Sequence, residues 1–223
     1  MKNLVLLALC TTSLLTVGIS HAHETDDDDD YERVSRTVDL DGFDKIRLEG
    51  VYHMQVVVGE DFSIDLSGRD REMRRTELYL DGDTLVLDQN RHEKKVKFKN
   101  WKGVDATITL PALYAVTVEG VGKGEFENID AKDFDINVEG VGEFIFEGRC
   151  ETLTVSLEGV GEVDARDLEC QHVTADLEGM GSMSVYASKT VDADAEGIGG
   201  IDVFGKPDRV EKSKDFLSNV DIK

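Results

Sequence analysis

The chain has 223 residues, 47 Asp and Glu against 25 Lys and Arg, and a formal net charge of −22. Such a surplus of negative charge disfavours nucleic acid and anionic lipid as partners, because the long-range electrostatic contribution is repulsive. It favours cations and cationic or neutral partners.

Residues 1–22 read as a secretory leader. Lys2 is the positive flank, Leu4 to Val17 an uncharged apolar run, and Ser20-His21-Ala22 a small-residue cleavage signal before His23. The run is short of the roughly 20 residues a membrane span needs, and no later segment is apolar enough to span. Cys10 lies inside the leader. The chain is therefore expected to be exported, to the periplasm or to the cell surface and medium. Residues 23–33 form an acidic tail around Asp26 to Asp30, expected to be disordered because like charges repel and bury nothing. A metal-binding reading of the tail also exists, through His23 and Glu24.

Residues 34–223 are expected to be one all-β domain, with irregular strands at 34–110 and regular coils at 111–223. Polar and apolar residues alternate over Lys45–Leu48, Tyr52–Val58 and Phe62–Leu66, and Asp81-Gly82-Asp83 separates two more short runs, Leu78–Leu80 and Leu85–Leu87. Period-2 alternation bounded by Gly and Asp signals strands and turns. Met73–Leu80 has weak helical character. Residues 92–102 are basic, and Lys95, Lys97 and Lys99 alternate with Val96 and Phe98 ahead of Trp101. On a strand the lysines share one face. That face is either a docking patch for an anionic glycan or phosphate, or a solvated face neutralised by the protein's own acidic surface.

From Tyr114 onward the sequence repeats. Glu119-Gly120-Val121-Gly122 recurs at Glu139, Glu158, Glu178 and Glu196, with spacings of 20, 19, 20 and 18. Apolar residues flank each copy at alternate positions, as in Phe134, Ile136, Val138 before and Phe144, Phe146 after. This pattern predicts a single-stranded right-handed parallel β-helix with coils of about 20 residues. An α-helical repeat is excluded by the period of two. The glycines fit coil corners. No helix follows them, so a phosphate loop is not indicated.

The ordered set Leu40–Ile46, Ile108–Leu113, the Gly-x-Gly corners and Gly205-Lys206-Pro207 resembles the head GIN domain family, described as adhesin head domains of bacterial autotransporters. The resemblance covers about Val38 to Lys223. It implies an exported β-helical domain and no particular activity. Members usually carry Ser before the first corner Gly; here that residue is Glu in all five copies.

Because Val118 points inward, Glu119 is expected to point outward, as are Glu139, Glu158, Glu178 and Glu196. Five carboxylates would then form a column with a repeat of about 4.8 Å. Neighbours repel by about 0.9 kcal/mol in bulk water. Ca²⁺, raised pKa values or splayed, solvated side chains would offset this. Cys150 and Cys170 occupy equivalent positions in adjacent coils. They are expected to form a disulfide, the alternative being stacked free thiols.

His53, His92 and His172 have no Ser, Cys or metal-ligand partner at a recognised spacing, so the chain is read as non-catalytic. Two functions follow: an adhesion or ligand-binding module for an envelope or glycan ligand, or an envelope scaffold stabilised by divalent cations. A polysaccharide-active enzyme ranks below both.

Overall fold

The computed structural model describes residues 32–89 and 103–223. The expected leader, most of the acidic tail, and the basic strand with Lys95, Lys97, Lys99 and Trp101 lie outside the described residues. No described helix is long and apolar enough to cross a membrane.

The elements in chain order are β1 (Arg33–Val38), β2 (Lys45–Val58), β3 (Ser63–Arg69), α1 (Asp70–Met73), β4 (Glu77–Asp81), β5 (Thr84–Asp88), β6 (Val104–Leu110), β7 (Ala115–Phe204), β8 (Arg209–Lys214) and β9 (Ser218–Ile222). Two expected strands, at 45–48 and 52–58, are one strand bent at Gly50, whose φ is 147°. The expected helix at 73–80 is reduced to the single turn α1, and β4 takes Glu77–Asp81 instead. Gly82, at φ 65°, supplies the tight turn that lets β4 fold back on β5.

The right-handed parallel β-helix is not what forms. The described residues make one curled, mixed, nine-stranded sheet, ordered β1-β3-β6-β2-β5-β4, with β7 added to β2 and carrying β8 and β9. The pairs β1/β3, β3/β6 and β4/β5 are antiparallel. The pairs of β2 with β5, β6 and β7, and of β7 with β8 and β9, are parallel. The repeat period carries information about the parallel rungs alone. The antiparallel pairs come from short reversals outside the repeat, which no 20-residue period encodes.

Within β7 the chain returns on itself so that equivalent positions lie against each other. A Cβ on Gly140 would land on the Gly120 carbonyl oxygen, one on Gly159 on that of Gly140, and one on Gly179 on that of Gly159. The inward columns are buried as their alternation demands: Phe134, Ile136 and Val138, then Leu153, Val155 and Leu157, then Val173, Ala175 and Leu177. Tyr114, which begins the first column, is instead 40% exposed. One rung thus buries several apolar side chains at about 1.5–3 kcal/mol each, well above the repulsion between two exposed carboxylates.

Cys150 and Cys170 form a disulfide, with Cα atoms 4.5 Å apart across two rungs. The closed loop spans a sequence separation of 20. Chain-entropy reasoning gives such a loop about 3 kcal/mol of stabilisation. The variant Cys150→Ser/Cys170→Ser is expected to unfold at lower denaturant, with a midpoint that no longer responds to a reducing agent. An unchanged midpoint would show that the stacked rungs already restrict the unfolded chain.

Candidate functional site

The repeat builds one continuous face. The glutamates at 119, 139, 158, 178 and 196 are all exposed, and the glycines that follow them stack rung on rung. The column is longer than the repeat shows. In the β2/β7 register Glu49 pairs with Glu119, Gly50 with Gly120 and Val51 with Val121. On the opposite edge of β2, Glu49 pairs with Asp88 of β5. At the other end the Asp215 amide donates to the Ala195 carbonyl at 3.0 Å and the Gly199 amide to the Leu217 carbonyl at 3.4 Å. This places Asp215 beside Glu196 and Leu217 beside Ile198.

The end at Glu49 is capped by a side chain. The Gln89 amide N–H donates to the Glu49 carbonyl at 2.8 Å. Its side-chain Oε1 accepts from the Val51 N–H at 2.8 Å, and its Nε2 donates to Thr76 Oγ1 at 3.2 Å. Thr76 Oγ1 in turn donates to the Glu72 carbonyl at 2.9 Å. Backbone groups at the corner of β2 are thereby satisfied where no glycine rung follows.

Between the two glycines of each copy stands an apolar side chain that faces solvent. Val121, Val141, Val160, Met180 and Ile198 are 42–53% exposed. Beside them runs a trough of about 530 Å³. Its floor is Gly122, Gly142, Gly161 and Gly181, and one wall is Val51, Val121, Val141 and Val160. The other wall is polar: His53, Lys123, Glu143, Glu162 and Ser182. The floor admits no side chain, because a Cβ at any of these glycines would collide with a carbonyl oxygen of the neighbouring rung. In the polar wall Lys123 Nζ lies 2.6 Å from Glu143 Oε2, an exposed pair of small energetic weight. A second hollow of about 470 Å³ adjoins it at His53 and Lys123. There Asp105 holds His53 Nδ1 at 3.0 Å and Arg33 at 2.5 Å.

The five glutamates of the expected cation ladder stand exposed along one column. Among the described residues no group of three or more His, Cys, Asp or Glu is arranged to hold a metal ion. The carboxylates do influence one another. Burial, then Asp88 and Glu119, hold the Glu49 carboxyl above its ordinary value of 4.5. Burial, then Asp194, Asp192 and Glu178, hold Asp176 above its ordinary 3.8. Groups raised on folding contribute stability that is complete below the unfolded value and is lost as pH rises through the folded one. Asp83 and Asp130, lowered by hydrogen bonds from Lys45 and Arg149, act in the opposite sense and in a lower window, as pH falls below 3.8. Glu49→Gln/Asp176→Asn is therefore expected to melt above the parent at neutral pH, the gap narrowing as pH falls toward 4.5. A variant that melts below the parent at neutral pH would show that these carboxylates are held by favourable partners.

Three parts of this face escape a reading of the repeat alone. The copy at Glu49-Gly50-Val51 lies 70 residues before Glu119 (119 − 49) and has Tyr52 in place of the second glycine. The terminal rung at Asp215 and Leu217 has no glycine between them. The apolar column was open to detection by parity: if Val118 is inward, 119, 121 and 123 are outward.

The described residues form a curled, mixed β sheet that presents an exposed, glycine-cornered face. Residues 42–207 match the family described as "Putative auto-transporter adhesin, head GIN domain", and the chain belongs to that family. Solved structures share its fold. One from Bacteroides fragilis, described as "a putative adhesin", has 23% identity and a TM-score of 0.69, covering 86% of this chain and 97% of its own. One from Parabacteroides distasonis, described as a "putative lipid binding protein", has 17% identity and a TM-score of 0.51, covering 87% and 98%. A Parabacteroides merdae "putative adhesin" has 12% identity and a TM-score of 0.50, covering 87% and 97%. No curated protein matches the chain in sequence.

Proposed function

We propose that this chain is an exported, non-catalytic adhesion or ligand-binding module of the cell envelope, and that the glycine-floored trough is its binding face. The observation that carries the reading is the in-register apolar column. A monomer whose only need was stability would not be expected to leave Val121, Val141, Val160, Met180 and Ile198 in line at a water-facing corner. Family membership and the leader expected at residues 1–22 support the location.

The test compares the parent with Val121→Ser/Val141→Ser/Val160→Ser in binding to envelope preparations and a glycan array. These positions are exposed, so the variant is expected to keep the parent's melting behaviour. It is expected to lose the binding that the parent shows. Full retention by a folded variant would remove the trough from the function.

The second reading, a scaffold that takes up Ca²⁺, draws on the carboxylate column. A Ca²⁺-dependent rise in Tm, abolished when Glu119, Glu139, Glu158, Glu178 and Glu196 are changed to Ser, would favour it. No rise in the parent would eliminate it.

A further inference from the structure

The exposed apolar side chains of this protein are concentrated rather than scattered. Of the twelve large exposed hydrophobic side chains among the described residues, Val121, Val141, Val160, Met180, Ile198 and Leu217 fall in one column, with Phe216 beside its last rung and 99% exposed. Contiguous apolar surface of this kind marks interaction sites in soluble proteins. At about 4.8 Å per rung the column runs for more than 20 Å.

The charge around it narrows the partner. One flank is the carboxylate column Glu49, Glu119, Glu139, Glu158, Glu178 and Glu196. The far wall of the trough adds Glu143 and Glu162, and the one lysine among its described lining residues, Lys123, is already paired with Glu143. An anionic ligand entering the trough would meet carboxylates on both sides, on a chain of net charge −22. Among the described residues, the lining of the trough includes no aromatic ring on which a sugar or base could stack. What this face complements is a partner that is apolar along one side and positive along its edges.

We propose that the trough docks a cationic amphipathic segment of another polypeptide. Its aliphatic side chains lie against the column from Val51 to Ile198, and its Lys or Arg side chains meet the flanking glutamates. This inference rests on the reading that the trough is the binding face, and adds the chemistry of the partner. The apolar contact supplies affinity, while the glutamates supply selection by sign and a faster encounter.

The test titrates the full chain with a short peptide alternating Lys and Leu. The controls are a Glu/Leu peptide, a Lys/Ser peptide, and vesicles of phosphatidylcholine with and without phosphatidylglycerol. Two variants are measured beside the parent: Val121→Ser/Val141→Ser/Val160→Ser, and Glu139→Gln/Glu158→Gln/Glu178→Gln. The Lys/Leu peptide is expected to bind the parent and to lose about tenfold or more in affinity to each variant. In the Gln variant the dependence on salt is expected to flatten as well. Binding that the Ser variant leaves unchanged would be non-specific charge attraction and would overturn the proposal. If the Glu/Leu peptide or the vesicles bind through the valines while the Lys/Leu peptide does not, the partner chemistry falls and the trough survives as a binding face. If none of the probes depends on the valines, the inference falls, and the envelope-binding comparison decides the broader reading by itself.

Discussion

Gly159→Ala is expected to destabilise the protein by more than about 4 kcal/mol, enough to leave much of the chain unfolded or insoluble. Two causes act together. Gly159 has φ 140°, a conformation that L side chains rarely adopt. A Cβ there would also be driven into the Gly140 carbonyl oxygen of the neighbouring rung, with the Gly140 carbonyl carbon 3.0 Å away. The obstacle is backbone, held in place by the next rung in turn, so no rotamer change relieves it. Gly82→Ala separates the two causes. Gly82 also has positive φ, at 65°, but a Cβ there meets nothing within 4 Å. Its cost is expected to be about 1 kcal/mol, the conformational penalty alone. Equal losses at the two positions, measured by denaturant unfolding, would mean that the rungs can spread to admit a methyl group.

The same contrast shows what the sequence carries openly and what it does not. The stacked corners are legible because glycine recurs at spacings of 18 to 20 and no other residue fits a position where backbone meets backbone. The inward columns are legible because burial follows parity, and the Cys150–Cys170 disulfide follows from the spacing of the turns. The mixed character of the sheet is not legible. β3, α1, β4, β5 and β6 all lie between Glu49 and Glu119, and the pairing of those two rungs exists through hydrogen bonds that span them. Gln89 is equally silent: one glutamine in a loop gives no hint that it closes the Val51 corner. The binding face was half visible. The glutamates attract notice by their charge, whereas the valines between the glycines look like ordinary core residues until their parity is followed.

Phe146→Ala is expected to cost about 4 kcal/mol, the middle of the range for losing a buried aromatic ring. Phe146 is 0% exposed and lies 4.6 Å from the Phe126 ring, stacked, and 6.1 Å from Phe134, edge-on. The cost depends on how far the surroundings can collapse into the cavity. Here they have little freedom, because the rungs above and below are pinned at sheet spacing by main-chain hydrogen bonds and by glycine contacts. The core already balances volume along this stretch. Gly124 has no side chain where a Cβ would meet the Phe126 and Phe144 rings at 2.7 and 3.0 Å, and the position equivalent to Phe146 one copy later is Ala165, itself fully buried. Phe126 and Phe146 are thus a stacked large pair bounded by small residues at Gly124 and Ala165, and removing Phe146 leaves no neighbour sized to fill the gap. Phe146→Leu retains much of the volume and is expected to lose about 1.5 kcal/mol or less. Phe216→Ala, at a side chain 99% exposed, is expected to stay within about 0.5 kcal/mol of the parent. Because stacked rungs can open locally, amide exchange in β7 is the sharper readout. Protection is expected to fall first in the rungs around residues 126–146, and a loss spread evenly over the whole sheet would show instead that the turns unfold as a single unit.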